Sequence, residues 1–108
     1  MERNIRDLLN LYNPNDPLDH AWTIPSPWYF DAGIHELEQR SVFAKTWQVV
    51  GRAGQVKDKG SFFTADLAGE PIVAARGDDG QLRAFYNVCR HHAAAVVTEV
   101  DGCTKQFR

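Results

Sequence analysis

A chain of 108 residues, 44% hydrophobic and 24% charged, has the size and composition of one small globular domain and is neither disordered nor collagen-like. Its net charge of −2, with twelve Lys and Arg scattered along it, lacks the basic footprint of a nucleic-acid binder. The N-terminal stretch MERNIRDLLN is too charged for a signal peptide and no apolar run is long enough to span a membrane, so the cytoplasm is the expected compartment.

In chain order, Ile5, Leu8, Leu9 and Tyr12 fall at the i, i+3, i+4, i+7 positions of one helix face. The stretch NPNDP then ends that helix, because proline removes a donor and restricts its neighbour. Residues 13–29, with Pro14, Pro17, Pro25 and Pro27, read as an extended lead-in whose Trp22, Trp28 and Tyr29 pack as covering hydrophobes. Asp31 is a plausible N-cap for a second helix running to about Lys45, with Glu36 and Glu38 on its solvated face. From Trp47 onward, short apolar runs separated by glycine signal strands: WQVVGR, SFFTAD, PIVAAR and LRAFYNV. RGDDGQ between the third and fourth supplies Asp-Gly hairpin chemistry, so its RGD triplet reads as a turn rather than an adhesion motif. The expected fold class is mainly β: a helical and extended lead-in over residues 1–46, followed by antiparallel β structure over 47–108. No glycine-rich phosphate loop precedes a helix, which leaves a nucleotide site without support.

Two cysteines, Cys89 and Cys103, are too few for a disulfide framework, and cysteine beside histidine in a reducing compartment points to metal binding or catalysis. If the fourth strand continues through NVCRHH, residues i and i+2 share a side, so Cys89 and His91 project together while Arg90 points away and His92 faces opposite to His91. Thiolate plus imidazole suits zinc or iron, yet two ligands alone do not hold either a structural zinc or an iron–sulfur centre. An internal zinc site of Cys89, His91, His92 and Cys103 is conceivable but departs from the usual zinc spacings. A metal-free cysteine with surface histidines is the other reading of these residues in isolation.

The segment GEPIVAARGDDGQLRAFYNVCRHHAA, residues 69–94, resembles the N-terminal part of the Rieske domain of Rieske non-haem iron oxygenases, the group that contains ring-hydroxylating dioxygenase α subunits and choline and carnitine monooxygenases. The likeness extends upstream through WQVVGR and the segment from Asp31 to Trp47. In that family a Cys-x-His pair is followed, after a gap as long as residues 92–108, by Cys-x-x-His, so the resemblance places the second ligand cysteine at the position after Arg108. Cys103 does not fit as that cysteine, because Gln106 stands three positions later where a histidine is needed.

The resemblance implies that Cys89 binds one iron and His91 the other iron of a [2Fe–2S] cluster, with half of the ligand set present and Arg90 and His92 around it as tuning residues. The chain is then expected to be an N-terminal fragment of an oxygenase α subunit, inactive alone. In the intact parent the cluster would pass electrons from an NAD(P)H-dependent flavin reductase or a ferredoxin to a mononuclear Fe(II) in a catalytic domain outside these residues, where O₂ is activated to hydroxylate an organic substrate. The family also implies a homotrimer. Two alternatives stand beside this reading: a Rieske ferredoxin, which the long lead-in before Trp47 disfavours, and a zinc-bound or metal-free β domain serving as an interaction module. Choline-like, carnitine-like and aromatic substrates all remain open.

Overall fold

A computed structural model describes residues 4–107. The chain divides between Lys45 and Thr46 into two compact units. No helix among the described residues is long and apolar enough to cross a membrane.

In the first unit, α1 (Ile5–Leu9) is capped by Asn4, whose side chain accepts from the Arg6 amide at 3.0 Å. Leu8 is its buried residue, and the Leu8 carbonyl accepts at 2.7 Å from the indole N–H of Trp28. The Trp28 ring also meets Tyr12 edge-on at 5.6 Å. Trp28 is therefore anchored, whereas Trp22 is 84% and Tyr29 74% exposed, so the expected covering role fails for both. A 3₁₀ turn over Ser26–Tyr29 leads to α2 (Ala32–Glu38), and Asp31 caps it as expected by accepting from Gly33 and Ile34 amides at 2.9 and 3.1 Å. The helix does not run to Lys45 in α geometry. It widens into a π turn over Gln39–Phe43, where the Ala44 amide bonds the Gln39 carbonyl at 2.9 Å, five residues back.

In the second unit, WQVVGR is not a strand. Trp47 and Val49 are fully exposed, and the segment turns at Arg52, whose amide donates to the Gln55 side chain at 2.7 Å. Apolar residues alone do not make a strand without a neighbour to pair with. A 3₁₀ turn over Ala53–Val56 then places Val56 under the sheet. That sheet has four antiparallel strands: β1 (Ser61–Leu67), β2 (Glu70–Arg76), β3 (Leu82–Tyr86) and β4 (Asp101–Cys103), in the order β3-β2-β1-β4.

Consecutive Phe62 and Phe63 on β1 point to opposite faces, and both are buried because the middle of the sheet is covered on both sides. Phe63 packs with Val56 and Ala74; Phe62 packs with Val73 and Val97, flanked by Val96 and Phe107. Both hairpins are closed by turn chemistry. Ala68 and Gly69, at φ 52° and 80°, form the two-residue β1–β2 turn. The β2–β3 turn falls on RGDDGQ as expected, with Gly80 at φ 79°, Gly77 donating to Gln81, and Asp79 paired to Arg83 through two bonds of 3.0 and 2.6 Å.

Candidate metal centre

β3 ends at Tyr86, so Cys89 and His91 do not lie on a strand. The alternation argument for a shared side therefore does not apply, and the residues are positioned by a loop instead. One step past the strand, the Asn87 amide still donates to the Pro71 carbonyl at 2.8 Å, continuing the β2–β3 ladder. The chain then leaves the sheet. The Cys89 amide donates to the Ala94 carbonyl at 2.7 Å and the Cys89 carbonyl accepts from the Ala93 amide at 2.9 Å. These two bonds close Arg90, His91 and His92 into a tight turn, and Ala93 completes it at φ 55°.

Within that turn the Cys89 thiol is half-buried and faces the backbone amides of His92 and His91. Amide donors directed at sulfur favour the thiolate, so the thiol is lowered from the ordinary value, the His92 amide contributing most and the His91 amide next. His91 and His92 are both exposed, with ring centroids 4.1 Å apart and planes tilted by 53°. They do not face opposite ways, as strand geometry would have required. Arg90 is exposed on the same turn.

Cys103 sits elsewhere. It is on β4, paired with Ser61, and its thiol lies 3.7 Å from the Lys59 carbonyl. Among the described residues no three of His, Cys, Asp and Glu are gathered as metal ligands, so the internal zinc arrangement with Cys103 is not formed there. What the turn offers is one thiolate-prone sulfur and exposed imidazoles beside it. That donor set fits half of a Rieske centre, which takes thiolates on one iron and imidazoles on the other.

Sequence reasoning missed Asn87, the buried polar residue of this region at 6% exposure. Its side chain accepts from the amides of Val96 and Val97 at 3.0 and 2.9 Å and donates to the Val97 carbonyl at 2.7 Å. No periodicity announces such a bond across ten residues; an Asn immediately after a strand and just before the ligand motif was the available signal.

Comparison with known proteins identifies the family. The model of the family described as "Rieske [2Fe-2S] domain" matches residues 46–107, more than half of the chain. The chloroplastic choline monooxygenase of Arabidopsis thaliana is 38% identical over 95 residues, covering 88% of this chain and 22% of that protein. The carnitine monooxygenase oxygenase subunit of Escherichia coli is 45% identical over 71 residues, covering 66% of this chain and 19% of that one. A solved quaternary ammonium Rieske monooxygenase, whose structure bears on carnitine oxidation by gut microbiota and inter-subunit electron transfer, superposes with a TM-score of 0.72 at 36% identity over 79% of this chain and 23% of its own. The chain thus spans about a fifth of the length of the curated relatives it matches. Sequence, sheet and loop converge on one assignment: the chain belongs to the Rieske [2Fe-2S] domain family.

Proposed function

We propose that this chain supplies Cys89 and His91 as one Cys–His half of the [2Fe–2S] site of a Rieske oxygenase α subunit, with residues 1–46 as the lead-in to the Rieske domain and 47–108 as its first part. Cys89 is the ligand to one iron and His91 to the other. The observation that carries the reading is the Cys89–Ala93 turn, in which the His92 and His91 amides favour a thiolate at Cys89 and an exposed imidazole stands two residues away. The other Cys–His pair is to come from the longer protein that the relatives' lengths imply.

When bound, the cluster supplies reversible one-electron transfer at a potential raised by its imidazole ligands. The chain's own part is to hold the ligands. Amides directed at the Cys89 sulfur stabilise negative charge that would otherwise lower the potential, and Arg90 and His92 place further donors on the same turn. In an intact oxygenase, electrons would come from an NAD(P)H-dependent flavin reductase or a ferredoxin and would serve O₂ activation at a mononuclear Fe(II) of a catalytic domain. A homotrimer with transfer between subunits fits the inter-subunit transfer named for the quaternary ammonium relative. Relatives named for choline, glycine betaine and carnitine favour a quaternary ammonium substrate, and no residue of this chain is assigned to bind it.

The test is metal analysis of the longer protein, purified anaerobically. About three irons and two acid-labile sulfides per chain, two of the irons in the cluster and one in the catalytic domain, with a Rieske-type EPR signal on reduction, is the expected result. Stoichiometric zinc, or no metal, would overturn the proposal.

A further inference from the structure

The residues that would bind metal lie on a loop, and loops are the mobile parts of a fold unless something fixes them. Here the loop leaves the sheet after Asn87 and returns to it at Val96 and Val97. We infer that Asn87 is a positioning residue: its side chain ties the two ends of the 88–95 loop together and so sets the separation of Cys89 and His91 before any cluster arrives. The inference deepens the proposed function and rests on that reading for its metal consequence.

Backbone Val97 offers one donor and one acceptor, and the Asn87 side chain meets both, accepting at 2.9 Å and donating at 2.7 Å, as a strand residue would. The second lone pair of its oxygen takes the Val96 amide at 3.0 Å. No buried side-chain nitrogen or oxygen among the described residues is left without a partner. Few side chains can replace it. Aspartate keeps the two acceptors but turns an oxygen toward the Val97 carbonyl, glutamine carries the amide one methylene too far, and serine has only one polar atom. The clamp is anchored on both sides: Asn87 by its own amide to Pro71 on β2, and Val97 by burial against Phe62 and Val73. Since Cys89 and Ala94 are bonded just inside this outer tie, releasing the outer tie leaves only the bonds of the small turn to hold the ligand loop.

The experiment compares Asn87→Asp with Arg76→Gln, a control that weakens the same sheet away from the loop. Arg76 bonds the Val56 and Gly80 carbonyls at 2.9 and 3.1 Å and touches no residue of the 88–97 segment through those bonds. Amide hydrogen exchange is read first, on the metal-free chain. In Asn87→Asp the Cys89 and Ala93 amides, which Asn87 does not itself bond, should exchange about tenfold faster, the size expected for one lost buried hydrogen bond, with the Gly77 and Gly80 amides unchanged. Arg76→Gln should show the reverse pattern. In the longer, cluster-loaded protein, Asn87→Asp should release cluster iron to a chelator, followed by the loss of the cluster's visible absorption, about tenfold faster and broaden the EPR lines, while Arg76→Gln at a matched loss of stability should do neither. Unchanged exchange at Cys89 and Ala93, or equal iron release from the two variants, overturns the inference. If the unmutated protein assembles no [2Fe–2S] cluster, the metal reading fails, and the exchange pattern still decides whether Asn87 sets the loop.

Discussion

The Ala93 amide reaches the Cys89 carbonyl at 2.9 Å, and Ala93 makes that bond from φ 55°, a left-handed conformation that a side chain with Cβ adopts only at a cost. The turn that carries His91 therefore stores local strain one residue after its histidines. Ala93→Gly relieves about 1–2 kcal/mol of that strain and gives back about half of it as unfolded-chain entropy. A net gain below about 1 kcal/mol is expected as a higher urea midpoint at unchanged m-value. Ala93→Val should move the midpoint the other way. A lower midpoint for Ala93→Gly would show that the turn is not left-handed there.

The thiol of Cys89 should titrate below the ordinary value of 9.0, because the His92 and His91 amides stabilise its thiolate. A lowered folded-state value means that the unfolded chain binds the proton more tightly. The stabilisation from this group is then fully present above the unfolded pKa and is lost as pH falls through the folded one. In metal-free Cys103→Ser protein, the rate of iodoacetamide alkylation plotted against pH should reach half-maximum below 9.0. A midpoint at or above that value would contradict the placement of the amides.

Every residue of β3 is exposed, including Phe85 at 54% and Tyr86 at 69%, and β3 is an edge of the sheet. An edge strand with unpaired backbone groups and exposed aromatics is a template for pairing with another chain. The 108-residue chain should self-associate as its concentration rises, and Phe85→Lys should suppress this without disturbing the β2–β3 register. Sedimentation velocity measures it. A chain that stays monomeric and melts reversibly in one sharp transition contradicts the expectation.

How much of this was legible in the sequence differs from element to element. Short apolar runs bounded by glycine marked β1, β2 and β3, and Asp-Gly chemistry marked the hairpin, because those features are local. Asp31 announced α2 in the same way. Residues 47–52 carry the same apolar texture but form no strand, since pairing depends on a neighbour that composition does not reveal. β4 escaped notice for the opposite reason: three residues, two of them the poor strand formers Asp101 and Gly102, are held extended by Ser61, Phe62 and Phe63. The cysteine and the paired histidines stood out by type and spacing. Their arrangement on a turn, and the Asn87 tie beneath it, arise from contacts between residues several positions apart that show no period.

The ligand roles proposed for His91 and Cys89 differ electrostatically, and one substitution separates them. His91→Cys replaces a neutral imidazole by a thiolate and would add negative charge to the iron that His91 is proposed to bind. In the longer, cluster-loaded protein the potential should fall by a few hundred millivolts, the order of the gap between Rieske and plant-type centres. Protein-film voltammetry reads this directly. An unchanged potential with full cluster content would mean that His91 is not a ligand.

The central claim is that Cys89, and not Cys103, is the thiolate this chain contributes. Iron and acid-labile sulfide per chain, measured in the longer protein carrying either Cys89→Ser or Cys103→Ser, tests it most directly. Cys103→Ser should keep the two sulfides and the two cluster irons, as the unmutated protein does, and Cys89→Ser should lose both sulfides and those two irons while the catalytic-domain iron stays. Loss of the cluster in Cys103→Ser together with its retention in Cys89→Ser would contradict the account.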